Sequence, residues 1–198
     1  MTGPTLRELV GLPAEPVGLA ESALVLIDCQ NTYTYGVMEL EGVQRALDEA
    51  ETLLDRARTA GIPIVHIQHN AGPGSPYDID AEIGAIVDRV APREGEPVVV
   101  KGYPNAFVQT DLDERLKSLN ASNLVLAGFM THMCVNSTAR GAFNLGYAPT
   151  VVAAATATRA LPGDDGRLIP AESLHAASLA ALADLFAVVV PDADAIRG

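Results

Sequence analysis

Six short, nearly continuous apolar runs punctuate the chain, at residues 23–28 (ALVLID), 62–67, 97–101 (PVVVK), 123–128, 149–154 and 186–190. Runs of this length that are apolar on both faces read as parallel strands covered by helices on either side. Between them, stretches near 40–60, 79–90, 108–119, 132–146 and 171–184 read as helices; the first closes at Gly61 ahead of Pro63 and the fourth near Gly146. The repeated strand–helix pattern predicts a three-layer α/β/α sandwich around a parallel sheet. A Gly/Pro-rich stretch, HNAGPGSPYD at 69–78, reads as a loop. Residues 1–20 read as a loosely structured N-terminal arm, and 21–198 as a single domain without internal repeats or a linker.

Composition narrows the partners. A chain of 198 residues with 48% hydrophobic content can bury a substantial core. Its formal charge of -12 argues against nucleic acid and anionic membrane surfaces, both of which need basic patches. The opening residues lack the apolar core of a signal peptide, and no apolar run reaches the length of a membrane span, so a cytoplasmic protein is expected. Two cysteines give no disulfide framework, and a reducing compartment would leave both thiols free.

Candidate chemistry gathers at three strand ends. Cys134 follows the apolar run at 123–128 and opens a predicted helix. Backbone N–H groups and a partial positive charge at a helix start favour a thiolate and offer donors to an oxyanion. A free cysteine is as often a small buried hydrophobe, so position alone leaves both readings open. Asp28 ends the first strand and Lys101 the third. In open α/β sheets the carboxyl ends of strands are where ligands bind, so acid, cation and thiol fall where a site is expected. Cys29 neighbours Asp28 in an extended segment and should point the opposite way, into packing.

Three segments carry a family resemblance: LIDCQNTY at 26–33, VKGYPNAFVQTDLDERL at 100–116 and GFMTHMCVNSTARGAFNLGY at 128–147. In order and spacing, over about residues 22–190, the chain resembles the isochorismatase-like cysteine hydrolases, the group that includes nicotinamidases, N-carbamoylsarcosine amidase and ureidoacrylate amidohydrolases. The resemblance implies strand order 3-2-1-4-5-6, with Cys134 as nucleophile, Asp28 as proton acceptor and Lys101 as the cation between them. It also implies an oxyanion hole from the amides of Met130 and Cys134, beside a cis peptide bond between Phe129 and Met130. Against substrate it places Phe107; nearness to the strand ends adds Asn31, Tyr33, Tyr103, Asn105, Met130 and His132.

Some relatives hold a metal through an Asp-x-His pattern. That pattern is missing here, and His66 and His69 should diverge along a strand, so neither metal nor other cofactor is expected. His66 is expected to pack within its strand, and His175 to be structural. The activity implied is hydrolysis of a small amide or carbamoyl C–N bond through a thioester. Vinyl-ether hydrolysis of the isochorismatase type and a non-catalytic or redox-sensing α/β module are the alternatives. The arm's Leu6, Leu9, Val10 and Leu12, with relatives that complete their pockets from a neighbouring subunit, lead to the expectation of a homo-oligomer.

Overall fold

The apolar runs become strands because each position finds a covering layer. In the computed structural model, which describes residues 3–198, the strands are β1 (Ala23–Ile27), β2 (Ile64–His69), β3 (Val98–Lys101), β4 (Asn123–Phe129), β5 (Ala148–Ala157), β6 (Leu161–Pro162), β7 (Leu168–Ile169) and β8 (Val188–Val190). The helices are α1 (Leu6–Leu9), α2 (Val43–Ala60), α3 (Leu112–Ser118), α4 (Asn136–Asn144) and α5 (Ala171–Ala183). Six strands form one sheet in the order β3-β2-β1-β4-β5-β8, every neighbouring pair parallel. This is the order 3-2-1-4-5-6 of the six expected strands. The β6–β7 pair is an additional antiparallel hairpin inserted before α5.

Alternation along β1 divides the core. Leu24 and Leu26 pack with Leu47, Leu53 and Leu54 of α2. Ala23, Val25 and Ile27 pack on the opposite face with Leu112, Leu116, Ala139 and Leu182 of α3, α4 and α5. A strand whose side chains alternate between two such layers has no polar face to show, which explains its unbroken apolar sequence.

Two expectations are corrected. No helix spans 79–90; the segment holds two single turns, Glu82–Gly84 and Asp88–Val90. Between them the backbone is extended and pairs with the chain leaving β1: Asn31 N–H donates to Ala85 O at 2.9 Å, and Val87 N–H to Cys29 O at 2.9 Å. Backbone groups satisfied in that ladder are not available for helical bonds. The N-terminal segment is also not loose. Arg7 is buried, its backbone N–H donates to Asp184 O at 2.7 Å, and its guanidinium donates to Pro13 O and Leu185 O. The outer side of this arm leaves Leu6, Leu9 and Val10 exposed. Residues 1 and 2 of the expected arm lie outside the described residues.

Candidate active site

Three strand ends build the site, and two of them, β1 and β4, depart from regular backbone there. β1 ends in Asp28, whose φ of 50° is left-handed. For a residue other than glycine that conformation costs on the order of 1 kcal/mol, with Asp among the more tolerant types. Its N–H is still held by Ile67 O at 3.0 Å. The turn swings the carboxylate out of the β1 alternation.

β4 approaches β1 at Gly128, where φ is 117° and a Cβ would sit 2.0 Å from Ile27 O. Only glycine permits that approach, and it brings the ends of the two strands together. Beyond it the Phe129–Met130 peptide is cis.

Cys134 lies inside a wide turn, Thr131–Val135, in which Val135 N–H donates to Met130 O at 3.2 Å; regular α4 begins only at Asn136. The thiol is therefore on the approach to the helix rather than at its first residue. β3 contributes Lys101, paired in register with His69 of β2.

Lys101 Nζ sits at the centre of what these elements bring together. It lies 2.7 Å from Asp28 Oδ2, donates to Cys134 Sγ at 3.3 Å, and is 3.1 Å from His69 Nδ1. Asp28, Lys101 and Cys134 are 0%, 2% and 5% exposed. The Asp28–Lys101 contact is a close ion pair in which the ammonium faces Oδ2. The carboxylate is thus held by the cation beside the thiol.

Burial raises the Asp28 carboxyl above its ordinary range, with Lys101 pulling the other way. The Cys134 thiol is pushed up to about 12, first by burial and then by the Asp28 charge, with Lys101 again opposing. This corrects the expectation that position at a helix start makes the thiol ionise readily. In a dry site next to a carboxylate, desolvation outweighs the helix end.

The other predicted residues divide. His132 Nδ1 is hydrogen-bonded to Thr158 Oγ1, while its Nε2 is buried without a partner. Met130 is buried beside the cysteine turn. Tyr33 is buried with its hydroxyl 3.3 Å from that of Tyr77 and its ring edge-on to Phe129. Asn31 donates from its side chain to Glu82 O at 2.8 Å, tying down the 82–87 segment. Asn105 lies over Gly141 of α4, where a Cβ would come within 2.5 Å of its amide, and accepts from Phe107 N–H at 3.0 Å. Phe107 stacks on Tyr147, and Tyr103 is exposed.

The two thiols belong to opposite core layers, Cys29 to the α2 side and Cys134 to the other. His66 and His69 diverge as expected: His66 Nε2 is 3.1 Å from Glu96 Oε2, far along the sheet from the Lys101 cluster. His175 bonds to Thr131 through Nδ1 at 2.9 Å. Among the described residues no group of three or more His, Cys, Asp and Glu side chains converges as metal ligands would. Size does not mark the site either: a groove of about 920 Å³ beside the start of α2 and the end of β5 is lined by none of Asp28, Lys101 and Cys134. Sequence reading weighed His69 only as a metal ligand and overlooked Tyr77. The first was legible in principle, since parallel register places the last residue of β2 beside Lys101; the second, in a loop with no periodicity, was not.

A parallel α/β sheet with a buried carboxylate, cation and thiol at adjoining strand ends is the frame of a hydrolase for small molecules. The Isochorismatase domain family model matches residues 22–194, and the chain belongs to that family. A solved isochorismatase from Pseudomonas putida superposes with a TM-score of 0.94 at 38% identity, covering 98% of this chain and 99% of that one. A secreted isochorismatase effector of Verticillium dahliae is 33% identical over 96% of this chain and 98% of its own length. A ureidoacrylate amidohydrolase of Stutzerimonas stutzeri is 32% identical, covering 75% of this chain and 76% of that protein. No helix among the described residues is long and apolar enough to cross a membrane.

Proposed function

We propose that the protein is a cysteine-dependent hydrolase of a small amide or carbamoyl C–N bond, working through a thioester. The observation that carries this reading is the Lys101 ammonium, 2.7 Å from Asp28 and 3.3 Å from Cys134 in a buried site. Amide hydrolysis by a thiol needs a nucleophile, a proton acceptor with an open lone pair, and a fixed positive charge. The similarity to a ureidoacrylate amidohydrolase supports the C–N bond as target.

In the acylation step Asp28 takes the thiol proton as Sγ attacks the carbonyl carbon. The amides of Met130 and Cys134 would receive the oxyanion. Collapse breaks the C–N bond, and the protonated Asp28 gives its proton to the departing nitrogen. Asp28 then takes a proton from water, hydroxide attacks the thioester, and the acid leaves as the thiol is restored. His132, with a buried Nε2 lacking a partner, and Phe107 are the side chains we assign to substrate. Asn31, Tyr33 and Asn105 make backbone and core contacts that suit them to shape the wall, and Tyr103 stands at its rim.

Vinyl-ether hydrolysis would leave the buried thiol without a role. A redox sensor needs an exposed, acidic thiol, and Cys134 is neither. Unpaired cysteines suit a reducing, cytoplasmic setting, and the exposed apolar arm suits a homo-oligomer. The test is a single-turnover reaction with a panel of amides and ureido acids, quenched in acid and read by intact mass. An acyl adduct on Cys134, absent from Cys134→Ala, supports the reading; ammonia or amine release that persists in Cys134→Ala overturns it.

A further inference from the structure

The ammonium of Lys101 has three hydrogens and three neighbours. Two, Asp28 and Cys134, belong to the reaction proposed above. The third is His69 Nδ1 at 3.1 Å, supplied by the last residue of β2. A neutral imidazole accepts through one nitrogen and donates through the other. Facing an ammonium, Nδ1 must be the acceptor, so the proton resides on Nε2. Burial and the neighbouring Lys101 depress the imidazole to about 4, which keeps it in that acceptor form at neutral pH.

The backbone of His69 is clamped by a single side chain, Gln30. Its N–H donates to Gln30 Oε1 at 2.9 Å and its carbonyl accepts from Gln30 Nε2 at 3.0 Å. Its ring stands edge-on to Tyr77 with centroids 4.9 Å apart. Gln30 is fully buried and also donates to Gly84 O at 2.7 Å. A flexible four-carbon lysine stem is thereby tied to a ring that is carried on a clamped backbone and packed against Tyr77.

We propose that His69 is a positioning residue for the catalytic cysteine: by taking the third hydrogen of Lys101 it aims the remaining two at Asp28 and Sγ. Without it the ammonium would be free to turn within the cluster, and the thiolate formed during attack would lose part of its stabilisation. The proposal rests on the cysteine mechanism above, and its test is chosen to be independent of any amide.

The test is the rate of Cys134 alkylation by iodoacetamide, followed by mass spectrometry between pH 7 and 10, in His69→Leu and His69→Asn. Leucine fills space against Tyr77 but cannot accept a hydrogen bond. Asparagine places an amide oxygen near the position of Nδ1 and gives up the ring contact. If His69 positions Lys101, the leucine variant alkylates more slowly by about tenfold, the scale of one hydrogen bond to a charged group, and the asparagine variant stays within about threefold of the parent. A role in packing alone gives the opposite order, with asparagine the more impaired. That order, equal impairment of both, or a leucine variant as fast as the parent would each overturn the proposal. Thermal melts of both variants identify a folding defect; His69→Gln, a second acceptor of different reach, replaces the asparagine variant if it fails to fold, and His69→Met, a flexible side chain without a strong acceptor, replaces the leucine variant. Because the probe is an alkylating agent, failure here leaves the amidase reading standing, and a failed amide panel leaves this result intact.

Discussion

Replacing Asp28 with asparagine should make the cysteine more reactive and the enzyme less active. Oδ2 of Asp28 is 2.7 Å from Lys101 Nζ, which is 3.3 Å from Sγ, so the carboxylate oxygen and the sulfur are no more than about 6 Å apart. At that separation, with an effective dielectric constant of about 20, two like charges repel by roughly 3 kcal/mol, or about two pKa units. Asp28→Asn removes the repulsion and keeps the shape, so the thiol should fall from about 12 towards about 10. Thiolate at pH 8 then rises about a hundredfold. A less basic thiolate is also a poorer nucleophile, by roughly a factor of eight for two units at a Brønsted slope near 0.45. Iodoacetamide alkylation should therefore accelerate by about tenfold. Turnover should instead fall by about 10² to 10⁴, the range for loss of a general base. The assay pairs the alkylation rate, measured against pH, with amide turnover by the same protein. Alkylation that slows along with turnover would refute the reasoning, since it would mean that Asp28 assists thiolate formation in the resting site.

Three further outcomes follow from the same coordinates. Arg58 holds the Glu96 carboxyl down to about 2 from an ordinary 4.5; the stability this gives is present above pH 4.5 and lost as pH falls from 4.5 towards 2. Urea unfolding of Glu96→Gln should show a deficit of roughly 1–3 kcal/mol at pH 7 that closes across that window, and a deficit independent of pH would contradict the assignment. Gly128→Ala, which forces a Cβ to within 2.0 Å of Ile27 O, should lower stability by at least about 3 kcal/mol or prevent folding, as thermal denaturation would register; a native melting curve would mean that β1 and β4 part easily. Cys29 is buried in the opposite core layer from Cys134, so Cys29→Ser should keep most turnover and peptide mapping should find Cys134 modified first; dominant labelling of Cys29 would reverse the assignment.

What the sequence disclosed and what it withheld have a common physical origin. Strands buried on both faces write themselves as unbroken apolar runs, so β1 and β4 could be read within a residue or two. Segment 79–90 misled because AEIGAIVDRV carries helix-like apolar spacing, while its backbone partners, Cys29 and Asn31, lie about fifty residues away. Pairing at that distance leaves no local trace. Asp28 and Cys134 were legible as candidates because strand ends in a parallel sheet converge wherever they fall in sequence, while Lys101 was singled out by the family resemblance. The state of the thiol was not legible, because it depends on desolvation and on a carboxylate over a hundred residues upstream. Nor was the anchoring of the arm, which rests on Arg7 finding carbonyls at Pro13 and Leu185.

The raised thiol accords with the charge balance of a buried site. A resting thiolate beside ionised Asp28 would put two negative charges against the one Lys101 cation in a buried space, and an uncompensated buried charge costs several kcal/mol. With the thiol neutral, Asp28 and Lys101 form one balanced pair. In the proposed attack the thiol proton would pass to Asp28 and the negative charge to the substrate oxygen, still facing a single cation. When the leaving nitrogen takes the proton back, Asp28 and Lys101 are again paired. Each intermediate thus holds one negative and one positive charge, so burial need not be offset anew at any step. A general base acting on a neutral cysteine, rather than a preformed thiolate, is the arrangement that this degree of burial favours.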